Sequence, residues 1–253
     1  MRILKSIAVA FSMYSRIPMP RFNWASEDMK YHLIFFPWVG AVIAVIEYLW
    51  LLFCQQFGLT HTVFSIIVLA IPIIVTGGFH IDGFMDTSDA LSSWGDKEKR
   101  LEILKDSHVG AFAIIRLITL GLILFAAILT LNLNGFLAWC FTLFAVRAVS
   151  GICVVRYKKA KSEGILNTSA ETASDKVVMF CLAIQFIICA VIAGIYFQWY
   201  WTIGLLAIFI SLIYYIYTAY SKFGGITGDL AGWFVCMAET FSAVAIALYT
   251  VLR

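Results

Sequence analysis

Asp82, Asp86 and Asp89 stand at i, i+4 and i+7 within GGFHIDGFMDTSDALSSWGDKEKR, residues 77–100. On a helix this spacing gathers three carboxylates into a stripe roughly 60° wide. Like charges on so narrow a face repel one another, and an apolar setting makes their ionisation harder still. A divalent cation removes the conflict. All-oxygen ligands point to Mg²⁺, which keeps waters and binds substrate phosphates beside one or two carboxylates. A solvated acidic face is the plain alternative, but Phe79, Ile81, Phe84, Met85, Ala90 and Leu91 make this stretch mostly apolar. Gly83, next to the first acid, permits close approach of a ligand. His80 precedes the acids, either as a structural donor or as a group that handles protons. Aspartates with one His and no Cys favour Mg²⁺ or Mn²⁺ over Zn²⁺.

A second motif, KFGGITGDLAGWFVCMAET, runs over 222–240. Gly224, Gly225 and Gly228 leave a bare backbone whose N–H groups can approach an anion closely. Asp229 falls at the first turn of the helix that follows, where it can cap that helix or join the other acids. Lys105 and Ser107, just ahead of another helix, are residue types that hold phosphate. Arg156 and Lys161, in RYKKAKSEGILN at 156–167, could do the same, although anchoring to acidic lipids accounts equally for those charges. Taken together, these groups describe a metal site for phosphates.

The elements that must position them are membrane helices. The chain is 62% hydrophobic and 13% charged, with a mean hydropathy of +0.92. Soluble domains are closer to 45–50% apolar and about 25% charged. The apolar content and the lack of a basic stripe exclude a nucleic-acid binder. Six cysteines, none in C-x-x-C spacing, read as small apolar fillers. Crossing a bilayer takes about 20 apolar residues, and such stretches occur at 33–53, 62–80, 110–131, 136–155, 177–197, 200–220 and 230–252. Gly77 and Gly78 end or kink the second of them. FQWYW at 197–201 and NLNG at 132–135 make tight turns. The N-terminal stretch, interrupted by Ser12 and Ser15, reads as an uncleaved amphipathic helix. The sequence thus predicts an all-α integral membrane protein. It is a single polytopic helical bundle of about seven transmembrane helices, eight if the N-terminus also spans, and one transmembrane catalytic domain over 1–253.

Charge distribution orients the bundle. Loops 1–32, 81–109, 156–176 and 221–229 carry the Lys and Arg residues, whereas 54–61, 132–135 and 198–199 carry none. The positive-inside rule then places the N-terminus and the acidic motif at the cytoplasmic face. Glu47, Arg116, Arg147 and Glu239 fall inside spans, and pairing of Glu239 with Arg116 or Arg147 is the expected structural use of such groups.

GGFHIDGFMDTSDA, LEILKDSHVGAF and GGITGDLAGWFVCMAE together resemble the cobalamin synthase family, the adenosylcobinamide-GDP ribazoletransferases or cobalamin-5'-phosphate synthases. SRIPMP and FFPWVG are similar to that family's N-terminal pattern, so the resemblance covers about residues 11–241. It implies a Mg²⁺-dependent reaction between adenosylcobinamide-GDP and α-ribazole, or its 5'-phosphate, that releases GMP. On this resemblance Asp82, Asp86 and Asp89 bind Mg²⁺, and Asp229 completes the metal site or takes the acceptor's proton. His80 and Asp89 are further candidates for catalysis, and Lys105, Ser107 and the backbone of Gly224, Gly225 and Gly228 hold phosphate. AKSEGIL is similar to a family stretch that often carries Arg, with Lys161 keeping the charge but not a bidentate grip. The implied setting is the bacterial or archaeal cytoplasmic membrane. A homo-oligomer and an assembly with other nucleotide-loop enzymes are both compatible with it. A CDP-alcohol phosphotransferase also cleaves a nucleotide diphosphate with acids in a membrane helix, but its further downstream acids have no match here. An ion-coupled transporter would instead work through the acids inside the spans.

Overall fold

The computed structural model describes residues 2–20, 28–160 and 175–253. Among them lie helices α1 (Arg2–Tyr14), α2 (Phe36–Phe57), α3 (His61–Thr76), α4 (Phe79–Ser92) and α5 (Lys97–Ile103), with a 3-10 segment, Asp28–Phe35, leading into α2. Then follow α6 (Ala111–Thr130), α7 (Leu133–Arg156), α8 (Asp175–Thr218) and α9 (Gly228–Leu252). The expected all-helical bundle is present. Five of these helices are long and apolar enough to cross a membrane, or six if the bent pair α3–α4 counts as one span.

Helix α8 and its π-helical continuation, Ala219–Phe223, form one of the five. It is broken at Gln198, whose φ of 45° and ψ of −116° are not helical. Phe186 and Phe209, on either side of the break, have ring centroids 6.4 Å apart. A straight helix would hold them tens of ångströms apart, so α8 doubles back and supplies two of the expected spans.

Helix α3 breaks at the glycines expected to end or kink it, and so falls short of the full apolar stretch. The sequence places a span over 62–80, yet the helix stops at Thr76, because Gly77 and Gly78 both take left-handed backbone, with φ of 67° and 83°. The chain turns 96° there into α4. The 16 residues of α3 reach about 24 Å, short of a full hydrocarbon core. We read α3 as the spanning part and α4 as lying across one end of the bundle.

The two ends differ in chemistry. At one, the turns at Gly58, Asn132 and Gln198 meet: Phe64 packs edge-on against Phe136, and the Asn132 amide donates to the Tyr200 hydroxyl at 2.6 Å. At the other end lie α4, α5 and the start of α9. There Lys97 donates to the Tyr220 carbonyl, and residues 158–160 pair with Ile226 through backbone hydrogen bonds. Among the described residues, Lys97, Lys99, Arg100, Lys158, Lys159 and Lys222 lie at this second end.

Helix α7 is the central post, buried along most of its length. Its Arg147 meets Glu239 of α9 at 2.5 Å, with both side chains almost wholly enclosed. Of the two pairings open from the sequence, Arg147 is the one formed. Glu47 is buried as well, within reach of the Cys140 thiol at 3.7 Å.

Candidate active site

Two glycines bring the acids together. A Cβ on Gly83 would sit 2.7 Å from the Asp229 carbonyl oxygen and 2.9 Å from its Cα. One on Gly232 would sit 3.2 Å from the His80 carbonyl oxygen. Helices α4 and α9 therefore cross backbone against backbone, closer than any residue with a side chain allows. This seam sets Asp229 beside the stripe formed by Asp82, Asp86 and Asp89. The stripe itself is as the spacing predicts, since α4 is regular from Phe79 to Ser92. Electrostatics report the same grouping. Burial, followed by the charges of Asp82, Asp229 and Asp89, pushes the Asp86 carboxyl up to about 6. A site that disfavours its own charge in this way is relieved by a cation.

Asp229 is not the cap of α9. Thr227 holds that position, its hydroxyl accepting from the Leu230 N–H at 3.1 Å. The capping explanation for Asp229 thus falls away.

Asp89 has work of its own. Its two carboxylate oxygens accept the backbone N–H groups of Gly110, at 2.6 Å, and Ala113, at 2.8 Å. These are unpaired donors at the start of α6. Asp89 thereby ties the acid-bearing helix to α6, using both of its oxygens from 21 residues upstream, a role that no local pattern shows. The 105–109 loop ends at that contact, and Lys105 and Ser107 are exposed on it near the edge of the stripe. Asp106 there pairs with His108, which holds its carboxyl below the usual range.

His80 lies on a different face of α4 from the acids. It is buried, flanked by the rings of Phe36 and Phe79, and its Nε2 has no hydrogen-bond partner among the described residues. It therefore faces the interior of the bundle. The three glycines of the second motif also separate. Gly224 takes a left-handed turn, with φ of 78°, that closes the π-helical segment. Gly225 packs against the 158–160 backbone, where a Cβ would meet the Lys158 carbonyl oxygen at 2.6 Å. Gly228, at the start of α9, has nothing within 4 Å of a Cβ position, so the space beside it is open. Arg156 ends α7, and Lys161 lies outside the described residues.

Arg16 is the addition that sequence reading missed, having counted it only as a cytoplasmic charge. Its N–H donates to the Val75 carbonyl at 2.8 Å, and its side chain fills the space over Gly77. A guanidinium is thus held at the α3–α4 elbow, a few residues from Asp82. SRIPMP was the available signal.

Among the described residues, no three His, Cys, Asp or Glu side chains already converge on one metal-sized point. The acids suit an ion that takes one or two carboxylates and completes its shell with water and phosphate oxygens, which is the habit of Mg²⁺. An acid cluster flanked by exposed cations at one end of a membrane bundle can hold a metal-bound diphosphate.

Comparison with known proteins gives one consistent result. The family model described as cobalamin-5-phosphate synthase matches residues 6–247. An adenosylcobinamide-GDP ribazoletransferase of Lachnoclostridium phytofermentans is 37% identical over 248 residues, covering 98% of this chain and 95% of the relative. One from Clostridium perfringens is 32% identical, covering 93% and 94%. One from a Geobacillus strain is 30% identical, covering 87% and 86%. No solved structure matches the chain.

Proposed function

The chain belongs to the cobalamin-5-phosphate synthase family, and from that premise we propose that it joins adenosylcobinamide-GDP to α-ribazole or α-ribazole 5'-phosphate. A ribose hydroxyl of the acceptor attacks the phosphorus on the cobinamide side of the diphosphate. A new P–O bond forms, the P–O–P bond breaks, and GMP leaves. The observation that carries this reading is the α4–α9 seam, which sets Asp229 beside Asp82 and Asp86 at the polar end of the bundle.

In this reading Asp82 and Asp86 would hold Mg²⁺, which neutralises diphosphate charge when bound. Asp229, across the seam, takes the proton from the attacking hydroxyl. Asp89 keeps α4 in place through its bonds to the start of α6. In the same reading Arg16, Lys105, Ser107 and the backbone at Gly228 would meet phosphate oxygens. The distribution of Lys and Arg supports a cytoplasmic face for this end, where nucleotide substrates arrive.

The test is an assay of purified protein with adenosylcobinamide-GDP and α-ribazole. Cobalamin product and GMP are expected with Mg²⁺ and not without it. Asp82→Ala should lose product formation while remaining folded. Folded wild-type protein that makes no product under either condition would sink the reading.

A further inference from the structure

Beneath α4, on the side away from the acids, lies a cavity of about 110 Å³. Leu69, Pro72 and Ile73 of α3 and Leu117, Leu120 and Leu124 of α6 give it mostly apolar walls. Its polar lining is sparse and only partly satisfied. His80 Nε2, Arg147 Nε and Thr240 Oγ1 all belong to lining residues, all are buried, and none has a hydrogen-bond partner among the described residues. Orphaned polar atoms are costly in a membrane interior. Three around one cavity point to a ligand that has a polar edge as well as apolar faces.

Helix α9 relates this cavity to the acids. Cys236 and Thr240, which line it, stand seven and eleven residues after Asp229, within about 20° of the same face. The cavity therefore begins about 10 Å below Asp229 along the helix axis. The α3–α4 elbow borders both sites. Thr76 and His80 line the cavity, Asp82 carries the first acid, and nothing lies within 4 Å of a Cβ position at Gly78 between them.

We propose that this cavity receives the heteroaromatic base of the acceptor nucleoside, an inference that rests on the transferase reading above. α-Ribazole carries a flat, methyl-bearing benzimidazole with a single acceptor nitrogen. Its apolar faces match the leucine walls, and its nitrogen accepts from the Thr240 hydroxyl, whose Oγ1 has no other partner among the described residues. The span from ribose hydroxyl to the far edge of the base is of the same order as the Asp229–cavity separation. An apolar cavity of about 150 Å³ takes benzene, and this one, open on one side, takes the inner part of a fused ring. A lipid chain would satisfy none of the three polar atoms. With the base held below the rim, the acceptor's hydroxyl is delivered upward to the acids.

Gly121 supplies the test. It lines the cavity, and nothing lies within 4 Å of a Cβ placed on it, so Gly121→Leu fills the space without a clash at its Cβ. The expected result is a rise of roughly tenfold or more in KM for α-ribazole, with KM for adenosylcobinamide-GDP and kcat essentially unchanged. The Kd of α-ribazole for the purified protein, measured without donor, should rise in parallel. Wild-type acceptor KM and Kd in a variant that melts like wild type would overturn the proposal, whether the cavity then holds lipid or only water. Should Gly121→Leu not fold, Thr240→Val, which removes only the unpartnered hydroxyl, should weaken α-ribazole binding severalfold, and an unchanged Kd there overturns it equally. Wild-type protein that makes no cobalamin would instead refute the transferase reading, and the binding comparison would still decide whether the cavity takes the base.

Discussion

Gly83→Ala is the sharpest test of the seam. The added methyl carbon would lie 2.7 Å from the Asp229 carbonyl oxygen and 2.9 Å from its Cα, and both neighbours are backbone. Ordinary contact needs about 3.5 Å or more, so α4 and α9 must part by the better part of an ångström. Overpacking of this kind costs about 1–3 kcal/mol, and the gain in helix propensity returns up to about 1 kcal/mol. The net loss of stability is therefore about 0–3 kcal/mol, within what a folded domain tolerates. Function should suffer far more. A displacement of about 1 Å at a reacting centre can cost about 100-fold in rate, and here it moves Asp229 relative to Asp82 and Asp86. The assay is GMP release at saturating substrates, repeated across a Mg²⁺ titration. We expect kcat to fall about 100-fold and the Mg²⁺ requirement to rise. Gly232→Ala, whose Cβ would be 3.2 Å from the His80 carbonyl oxygen, should show a milder loss. A Gly83→Ala enzyme with wild-type turnover would refute the claim that backbone contact at this seam assembles the site.

Asp89→Ala removes the acceptor for two N–H groups of α6 and should cost about 1–2 kcal/mol in thermal or denaturant unfolding, while the Mg²⁺ concentration at half-maximal rate stays near wild type. A loss of Mg²⁺ dependence would instead make Asp89 a ligand. Asp86 titrates near 6, above its unfolded value. Its proton therefore stabilises the fold at acid pH, and that contribution fades as pH rises through about 6. Because Asp86 is only half-buried, screening reduces the effect to about 1 kcal/mol. Mg²⁺ should accordingly raise the melting temperature more near neutral pH than at about pH 5, and Asp86→Asn should remove that difference. Glu239→Ala strands Arg147 in the interior, so a loss of about 3–5 kcal/mol is expected in unfolding measurements, with Arg147→Met/Glu239→Leu restoring much of it.

The sequence makes the acids legible because their signal is local. Asp82, Asp86 and Asp89 share a face on any helix, and a pair of glycines announces the break before them. The helical class and the hairpin at Gln198 are legible for a similar reason: an uncharged run from Val177 to Ser221 is too long for one crossing. What stays hidden depends on partners distant in the chain. Gly83 reads as room for a ligand until Asp229, on another helix, is seen to fill that room with backbone. Asp89 reads only as a third acid of the stripe until Gly110 and Ala113 are seen to bond its two oxygens. His80, adjacent in sequence to the cluster, turns away because two residues rotate a helix by about 200°. Length alone overestimated α3: the apolar run continues through residue 79, but the backbone at Gly77 and Gly78 does not.

The 96° bend resolves a conflict that a straight helix cannot. Continued from α3, residues 79–92 would carry three acids on a lone rod projecting beyond the bundle, with no second helix to oppose them. Held inside the bilayer, the same acids would each need a partner or a proton. Bending lays the stripe along the polar end while its other face still covers apolar core, so Phe84 and Ala90 stay buried although Asp82 does not. The bend also presents Gly83 to the first turn of α9, which is how Asp229 comes to face the stripe. The Arg147–Glu239 pair then fixes α9 against α7 from inside the membrane. Loss of that pair should therefore change activity before it abolishes folding in a partly destabilised variant such as Glu239→Gln, because the seam at Asp229 lies ten residues along the same rigid helix. A Glu239→Gln enzyme that melts several degrees lower yet turns over normally at permissive temperature would show that α4 alone, through Asp89 and Gly83, is enough to hold the site.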